Sequence, residues 1–427
     1  LPTATIAQKI IARAAGLAHV APGDTVTASI DFAFAHDSSG PRRWKPHLER
    51  MGVGLWDTSK IAIVSDHYVP AFDRESAAIL KLARDFATAY NVDAFFDMVG
   101  ICHLVLPEHG LIRPGDFVAG GDSHSPTGGA FGAYVAGYGA LDMLAIVTTG
   151  ETWLTVPETI LVRLDGTVPS NVSAKDIMLI LCREVGLDNS FKAIEFAGST
   201  VAAMTMHERM VLSNMSTELG AETGLIAPDE TTAAFLKARG RPVDDLEAMK
   251  AICSDPDAHY QAKHSFDVST FSPQVAAPHS PSNTLDAEAF SGVKIDQAYI
   301  GACVGAKLTD LQMAASILKG RQVAPGVRLL IAPASTSTTA EASRDGTLEI
   351  LTKAGAILMP SGCGACAGMG PGVLADGDVC ISTTNRNFQG RMGHAGAKVY
   401  LGSPYTVAAA AVAGSIINPN SLQEHPQ

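Results

Sequence analysis

The sequence predicts an α/β protein in which short strands alternate with helices. Three observations carry this. Brief apolar runs recur, as at 61–64 and 116–120; each stops at a polar or glycine-rich segment; and stretches with helical spacing lie between them. In such folds the chemistry gathers at the strand ends.

Taken in order, residues 5–16 carry Lys9 and Arg13 inside an apolar stretch that ends at Gly16. That pattern reads as an amphipathic helix and not as a secretion signal. Residues 24–31 alternate like a strand, and 61–64 form a short buried strand that stops at Ser65-Asp66-His67. Ala78, Ile79, Leu82 and Phe86 give 73–91 a helical spacing, and 116–120 is a further strand. A second region opens near Val156-Pro157-Glu158, with a strand over 160–165, a helix over 174–185 and one longer helix over 201–219. Prolines at 273, 278 and 281 exclude a helix from 267–282, which reads as a linker. Beyond it, strands at 297–300, 328–331 and 356–358 alternate with helices. The expected division is three α/β domains: 1–157, 158–275 and 276–427.

With 427 residues, 47% of them hydrophobic, the chain can bury several cores. A net charge of −12 argues against a general nucleic-acid binder or a binder of acidic membranes. No apolar run approaches the roughly 20 residues of a membrane span. Seven cysteines, odd in number and scattered, do not form a disulfide framework. A cytoplasmic protein in a reducing compartment is the expectation.

Several constellations carry candidate chemistry. Cys363-Gly364-Ala365-Cys366 is followed by more glycine, and a third cysteine sits in Gly301-Ala302-Cys303. Thiolates bind soft metals, and glycine lets the backbone pass close to a bulky centre. A Cys-x-x-Cys pair alone leaves zinc, redox and core readings open, although the second pair of a zinc ribbon is missing. The same stretch fits a dinucleotide glycine pattern poorly, since no helix follows.

Asp66-His67 is either a proton-transfer couple or a cap beside a surface histidine, and His103, among apolar residues, reads by itself as a core histidine. Asp122, Ser123 and His124 lie in a glycine-flanked loop after a strand. They could simply cap a turn, and a serine triad is weakly supported because no nucleophile elbow surrounds Ser123. His36-Asp37 is a third such pair. Three His/Asp sites at strand ends within the first 125 residues weigh more than any one of them. Arg386 and Arg391 stand five apart in a glycine-bearing loop, and guanidinium forks suit carboxylates.

Together, Cys303 with Cys363 and Cys366 sixty residues on, Asp66-His67, Gly121-Asp122-Ser123-His124, Asn214-Met215-Ser216-Thr217-Glu218 and Asn385-Arg386-Asn387-Phe388-Gln389-Gly390-Arg391 resemble the aconitase superfamily. The match runs in order over nearly the whole chain and is strongest to the branch of 3-isopropylmalate dehydratase large subunits. The resemblance implies an aconitase-like fold, three α/β domains around a central [4Fe–4S] cluster held by Cys303, Cys363 and Cys366. Three protein ligands would leave one iron open as a Lewis acid. The implied reaction is reversible dehydration and rehydration of a 2-hydroxy di- or tricarboxylic acid. His124 with Asp122, and His67 with Asp66, would handle the hydroxyl proton, supported by His103. Glu218 would stand near the open iron. Ser123, Asn214, Arg386 and Arg391 would contact substrate, the arginines clamping its carboxylates.

The catalytic serine of this family sits in a swivelling domain. No room for one follows Gly402-Ser403-Pro404, so a small swivel-domain subunit carrying that serine is the expected partner. Neither nucleic acid nor membrane is expected. The sequence departs from the family at Ala302, Val304 and Gly305 (usually Ser, Thr and Asn), at Lys307 (Arg), at Leu104 (Gln) and at Ser125 (Thr). Another 2-alkylmalate, such as methylmalate or dimethylmalate, is the alternative substrate. A non-catalytic relative that senses its cluster and binds RNA is the alternative of a different class, disfavoured by the acidic balance and the retained His/Asp/Arg set.

Overall fold

The computed structural model describes residues 3–422, so residues 1–2 and 423–427 of the expected first and third divisions lie outside the described residues. The N-terminal part holds β1 (Thr25–Ser29), β2 (Phe32–His36), β3 (Ile61–Ser65), β4 (Ala94–Asp97), β5 (Phe117–Gly120), β6 (Tyr134–Gly137) and β7 (Glu151–Thr155). β1 and β7 form an antiparallel ribbon, and the other five make a parallel sheet in the order β4-β3-β2-β5-β6. Every residue of β2 and β3 is buried, as expected of a parallel sheet covered on both faces. The helix read over 73–91 runs Arg74–Ala89. Asp73 sets its start, accepting from the Ser76 amide at 2.7 Å.

The middle sheet has β8 (Glu158–Asp165), β9 (Lys192–Ala197), β10 (Thr223–Ile226) and β11 (Ala262–Asp267), all parallel, in the order β10-β9-β8-β11. The single helix expected over 201–219 is instead two, Ser199–Ala203 and Met206–Met215. Met204 is extended between them, and Thr205 with Glu208 forms a capping box that starts the second helix. That helix stops at Met215, so Glu218 stands in the turn beyond it. Gly220 closes the turn at φ +84°, where an added Cβ would lie 2.3 Å from the Leu187 carbonyl oxygen.

The third sheet comprises β12 (Gln274–Ala276), β13 (Thr284–Asp286), β14 (Gln297–Ile300), β15 (Arg328–Ile331), β16 (Ile357–Leu358), β17 (Val379–Ser382) and β18 (Lys398–Gly402), in the order β13-β12-β18-β17-β14-β15-β16. The expected linker at 267–282 is no linker. Its prolines do exclude a helix, but Gln274, Val275 and Ala276 are buried and pair antiparallel with β13 and β18. A strand needs only three residues free of proline, and the spacing between Pro273 and Pro278 leaves them. The expected boundary between 275 and 276 thus falls inside β12.

One buried apolar cluster runs from Phe34 and Val64 through Met210 and Leu212 to Ile300 and Ala408, welding the three sheets. The loops after β3, β4 and β5 meet those after β15, β16 and β17 beside it. Direct contacts there include the Ile101 amide on the Ala334 carbonyl at 2.9 Å and the Cys363 amide on the Asp66 carbonyl at 2.8 Å. Among the described residues, no helix is long and apolar enough to cross a membrane.

Away from this junction, burial, and then the charge of Asp31, raise the Asp116 carboxyl to about 7. A carboxyl whose folded pKa exceeds its unfolded value contributes stability at low pH and loses it as pH rises through the folded pKa. Asp116→Asn is therefore expected to stabilise the protein at pH 8 by about 2 kcal/mol and to change little at about pH 4. Urea melts at the two pH values check this, and an equal effect at both would count against it.

Candidate active site

β2 and β3 are neighbours, so the residues just past their ends, Asp37, Asp66 and His67, emerge side by side. The buried Asp37 carboxylate accepts from the His67 amide at 3.1 Å and the Tyr68 amide at 2.9 Å, shaping the loop that presents His67. Asp66 contacts His67 Nδ1 at 2.6 Å through one oxygen. Its other oxygen accepts from the Cys102 amide at 2.7 Å, at the start of the helix Cys102–Glu108 that carries His103. The His36 and His67 rings stack with centroids 3.7 Å apart.

Asp122, in the loop after β5, is the hub of the array. It lies 2.7 Å from His103 Nε2, accepts from the His124 amide at 2.7 Å, and sits 3.5 Å from His36 Nε2. His124 Nε2 in turn is 3.0 Å from Glu218 Oε1, which also accepts from Arg386 Nε at 2.9 Å. Arg386 donates to Ser123 Oγ at 3.2 Å. The structure thus brings Asp66, His67, His103, Asp122, Ser123, His124, Glu218 and Arg386 into one continuous network.

Burial opposes ionisation of Asp66, His67, Asp122, His124 and Glu218, and their partners override it. Asp122 is held well below the carboxylate range by hydrogen bonds from His103, His124 and His36. Despite burial, the Asp66 charge lifts His67 to about 9, and Glu218 raises His124. Glu218 is lowered against its burial by His124 and then Arg386. His67 is therefore cationic at neutral pH and forms an ion pair with Asp66.

The cysteines adjoin this network, with the Cys363 amide donating to the Asp66 carbonyl at 2.8 Å. Cys303 sits in the helical turn Ala302–Gly305 after β14, Cys366 in the turn Gly364–Ala367, and Cys363 just before it. None forms a disulfide. Burial, with neighbouring Cys366, pushes the Cys303 thiol up to about 12. Burial, then Asp66 and Asp122, holds Cys363 well above its usual value. Thiols kept this protonated are inert alone and suit a metal that displaces the proton. Asn214 Nδ2 donates to Cys303 Sγ at 3.1 Å and to Thr127 Oγ1 at 2.7 Å, while Asn385 bonds Asn214 and lies 3.7 Å from the same sulfur. Glu218 Oε2 and His103 Nδ1 are buried without a hydrogen-bond partner. Unpartnered polar atoms in the network, together with two buried thiols and the half-buried Cys363, fit a bound inorganic centre and its ligand.

The unusual residues around Cys303 have structural explanations. Ala302 adopts φ +68°, a strained conformation for a residue with a side chain. Lys307 is buried and donates to the Cys303 and Val304 carbonyls at 3.3 and 3.0 Å while pairing with Asp310 at 2.8 Å. It fastens the cysteine turn to the helix Leu308–Leu318. At Gly305 an added Cβ would lie 2.2 Å from Thr383, whose hydroxyl bonds the Gly301 and Gly305 carbonyls. Lys307→Met leaves Asp310 buried and unpaired and is expected to destabilise by about 3 kcal/mol. A change below about 1 kcal/mol in a denaturant titration would contradict that reading.

Arg391 stands apart from this network. Its Nε is buried without a partner, and among the described residues its side chain bonds none of the others named here. Sequence reasoning left unassigned His36 and Asp37, which a third His/Asp pair at a strand end did signal. It also passed over Asn385, whose only signal was its place before Arg386.

A model of the aconitase family (aconitate hydratase) matches residues 24–291 and 286–414. The chain belongs to the aconitase family. Family members similar over nearly full length include the 3-isopropylmalate dehydratase large subunit 1 of Methanopyrus kandleri, 44% identical over 97% of this chain and 98% of that protein. Another is the protein of the same name from Pyrococcus furiosus, 42% identical over 98% of this chain and 99% of the relative. The crystal structure of Thermococcus kodakaraensis aconitase X (holo-form) superposes with a TM-score of 0.51 over 84% of each chain. At 13% identity that likeness speaks for the aconitase-family fold alone.

Proposed function

We propose that this chain is the large subunit of a hydro-lyase that reversibly dehydrates a 2-hydroxy di- or tricarboxylic acid, 3-isopropylmalate or a close analogue. One observation carries the proposal. Glu218 joins the Asp122-centred proton network to Arg386 and keeps a buried, unpartnered oxygen, while Asn214, on the helix before it, reaches Cys303. Proton transfer, carboxylate binding and a soft-metal site therefore converge at one point.

The cofactor is an iron–sulfur centre. A [4Fe–4S] cluster on Cys303, Cys363 and Cys366 would supply a Lewis acid at its open iron for the substrate hydroxyl and carboxylate. The chain's own side chains do the rest. Arg386, with Arg391, binds and orients substrate carboxylates, and Ser123 and Asn214 flank them. Protonated His124 gives its Nε2 proton to the departing hydroxyl and takes it back on rehydration. Asp122 orients His124 and His103, and Asp66 holds His67 cationic, a second proton store at the same cleft. The serine that removes the carbon-bound proton belongs to a small swivel-domain partner, which the names of the relatives support through their "large subunit".

The test is turnover of a panel of 2-hydroxy acids, including 3-isopropylmalate, methylmalate and dimethylmalate, by the anaerobically reconstituted chain with and without a candidate small subunit. Turnover requiring both chains is expected. A full rate from this chain alone would refute the partner, and no turnover of any panel member by the loaded pair would refute the reaction.

A further inference from the structure

Lys175 is a buried cation that the mechanism above does not use. It is 2% exposed, in the first turn of the helix Ala174–Glu184. A cation there meets the positive end of the helix dipole, so burial and dipole both disfavour it. Its ammonium has three donors, yet among the described residues its one hydrogen bond runs to the Thr384 carbonyl at 2.7 Å. The adjacent Asp176 offers no compensation, because its carboxylate is committed to Ser173 and to the Gln274 amide. Lys307, the other buried lysine near the cysteines, is neutralised by Asp310 at 2.8 Å; among the described residues no carboxylate lies within ion-pair distance of Lys175.

Glu218 is the anion that acts most on Lys175, and the thiols of Cys182, Cys366 and Cys303 are the next groups placed to act on it once ionised. Its anchor Thr384 precedes Asn385, which lies 3.7 Å from Cys303 Sγ. An ammonium paying three penalties at once is retained where an anion completes its pairing. Glu218 is itself committed to His124 and Arg386, so the further anion is the set of thiolates formed when a metal centre loads.

We propose that Lys175 is the charge-compensating positioning residue of the cofactor site, offsetting the negative charge that thiolate ligation brings. The inference rests on the cluster reading above. It makes two demands. With the centre bound, removing the charge should make reduction less favourable and the centre easier to lose. Without it, removing the charge should stabilise the protein, because an uncompensated buried cation disappears.

The test compares the full wild-type chain, Lys175→Gln, Lys175→Met and Lys175→Arg after anaerobic reconstitution with iron and sulfide. Lys175→Gln can still donate to Thr384 but carries no charge. It is expected to show a midpoint potential lower by at least the equivalent of a fivefold change in the reduction equilibrium, and severalfold faster iron loss to a chelator. Lys175→Arg should stay within twofold of wild type in both. In metal-free protein, Lys175→Gln and Lys175→Met should melt at or above the wild-type temperature. Wild-type potential and iron retention in Lys175→Gln would overturn the proposal, as would destabilised metal-free variants, which indicate a packing role only. A wild-type chain that takes up no iron would overturn the cluster reading itself, and this inference with it.

Discussion

Cys303→Ser is expected to lower kcat/KM by at least about a thousandfold, the equivalent of about 4 kcal/mol of transition-state stabilisation. The loss should follow iron content and not folding. Cys303 sits in a strained turn that Lys307 and Thr383 hold in place, so the backbone survives the change of one atom. What disappears is the sulfur that Asn214 and Asn385 converge upon. Iron analysis and kinetics on the same preparation read both quantities. A variant with wild-type iron and a rate within tenfold of wild type would remove Cys303 from the ligand set.

Asp122→Asn is expected to lower kcat by about a thousandfold, within the range of about 10²–10⁴ for general acid–base groups. Three imidazoles approach this one carboxylate, and its charge is held ionised against burial. The amide keeps the shape but not the charge. His124 would lose one of the partners that raise it, so the alkaline limb of the pH–rate profile should move to lower pH. Glu218 still supports His124 from the other side, so the limb should shift and not vanish. An unchanged pH profile with a small loss in rate would show that Asp122 only braces the loop.

The α/β class was legible because strands buried on both faces, such as 61–64, must be short and apolar, and the helices between them keep a 3.6-residue period. The two misread segments have different causes. At 201–219 the apolar period runs on through Met204, and the break is set by a local capping box at Thr205 and Glu208. At 267–282 prolines dominate the local signal, whereas β12 exists because β13 and β18 supply partners from elsewhere in the chain. Neither long-range pairing nor one-residue capping shows in composition.

The site divides along the same line. The candidate pairs Asp66-His67 and Asp122 with His124 were visible at strand ends, since parallel sheets expose such residues there. Their connectivity was not, because Asp122 gathers His36, His103 and His124 from three separate strand ends. In the sequence Lys307 stands out only as a lysine where the family usually has arginine and Lys175 carries no signal; burial marks both. Arg391, chosen for its spacing from Arg386, makes no bond to the network within the described residues.

The central claim is that Cys303, Cys363 and Cys366 hold an iron–sulfur cluster with one iron open to substrate. Mössbauer spectroscopy of the chain reconstituted with isotopically enriched iron tests it most directly. The expected spectrum is that of a [4Fe–4S] cluster in which one iron is distinct and changes on addition of the hydroxy acid. A mononuclear iron or zinc site, or a cluster whose four irons all ignore the acid, would contradict it.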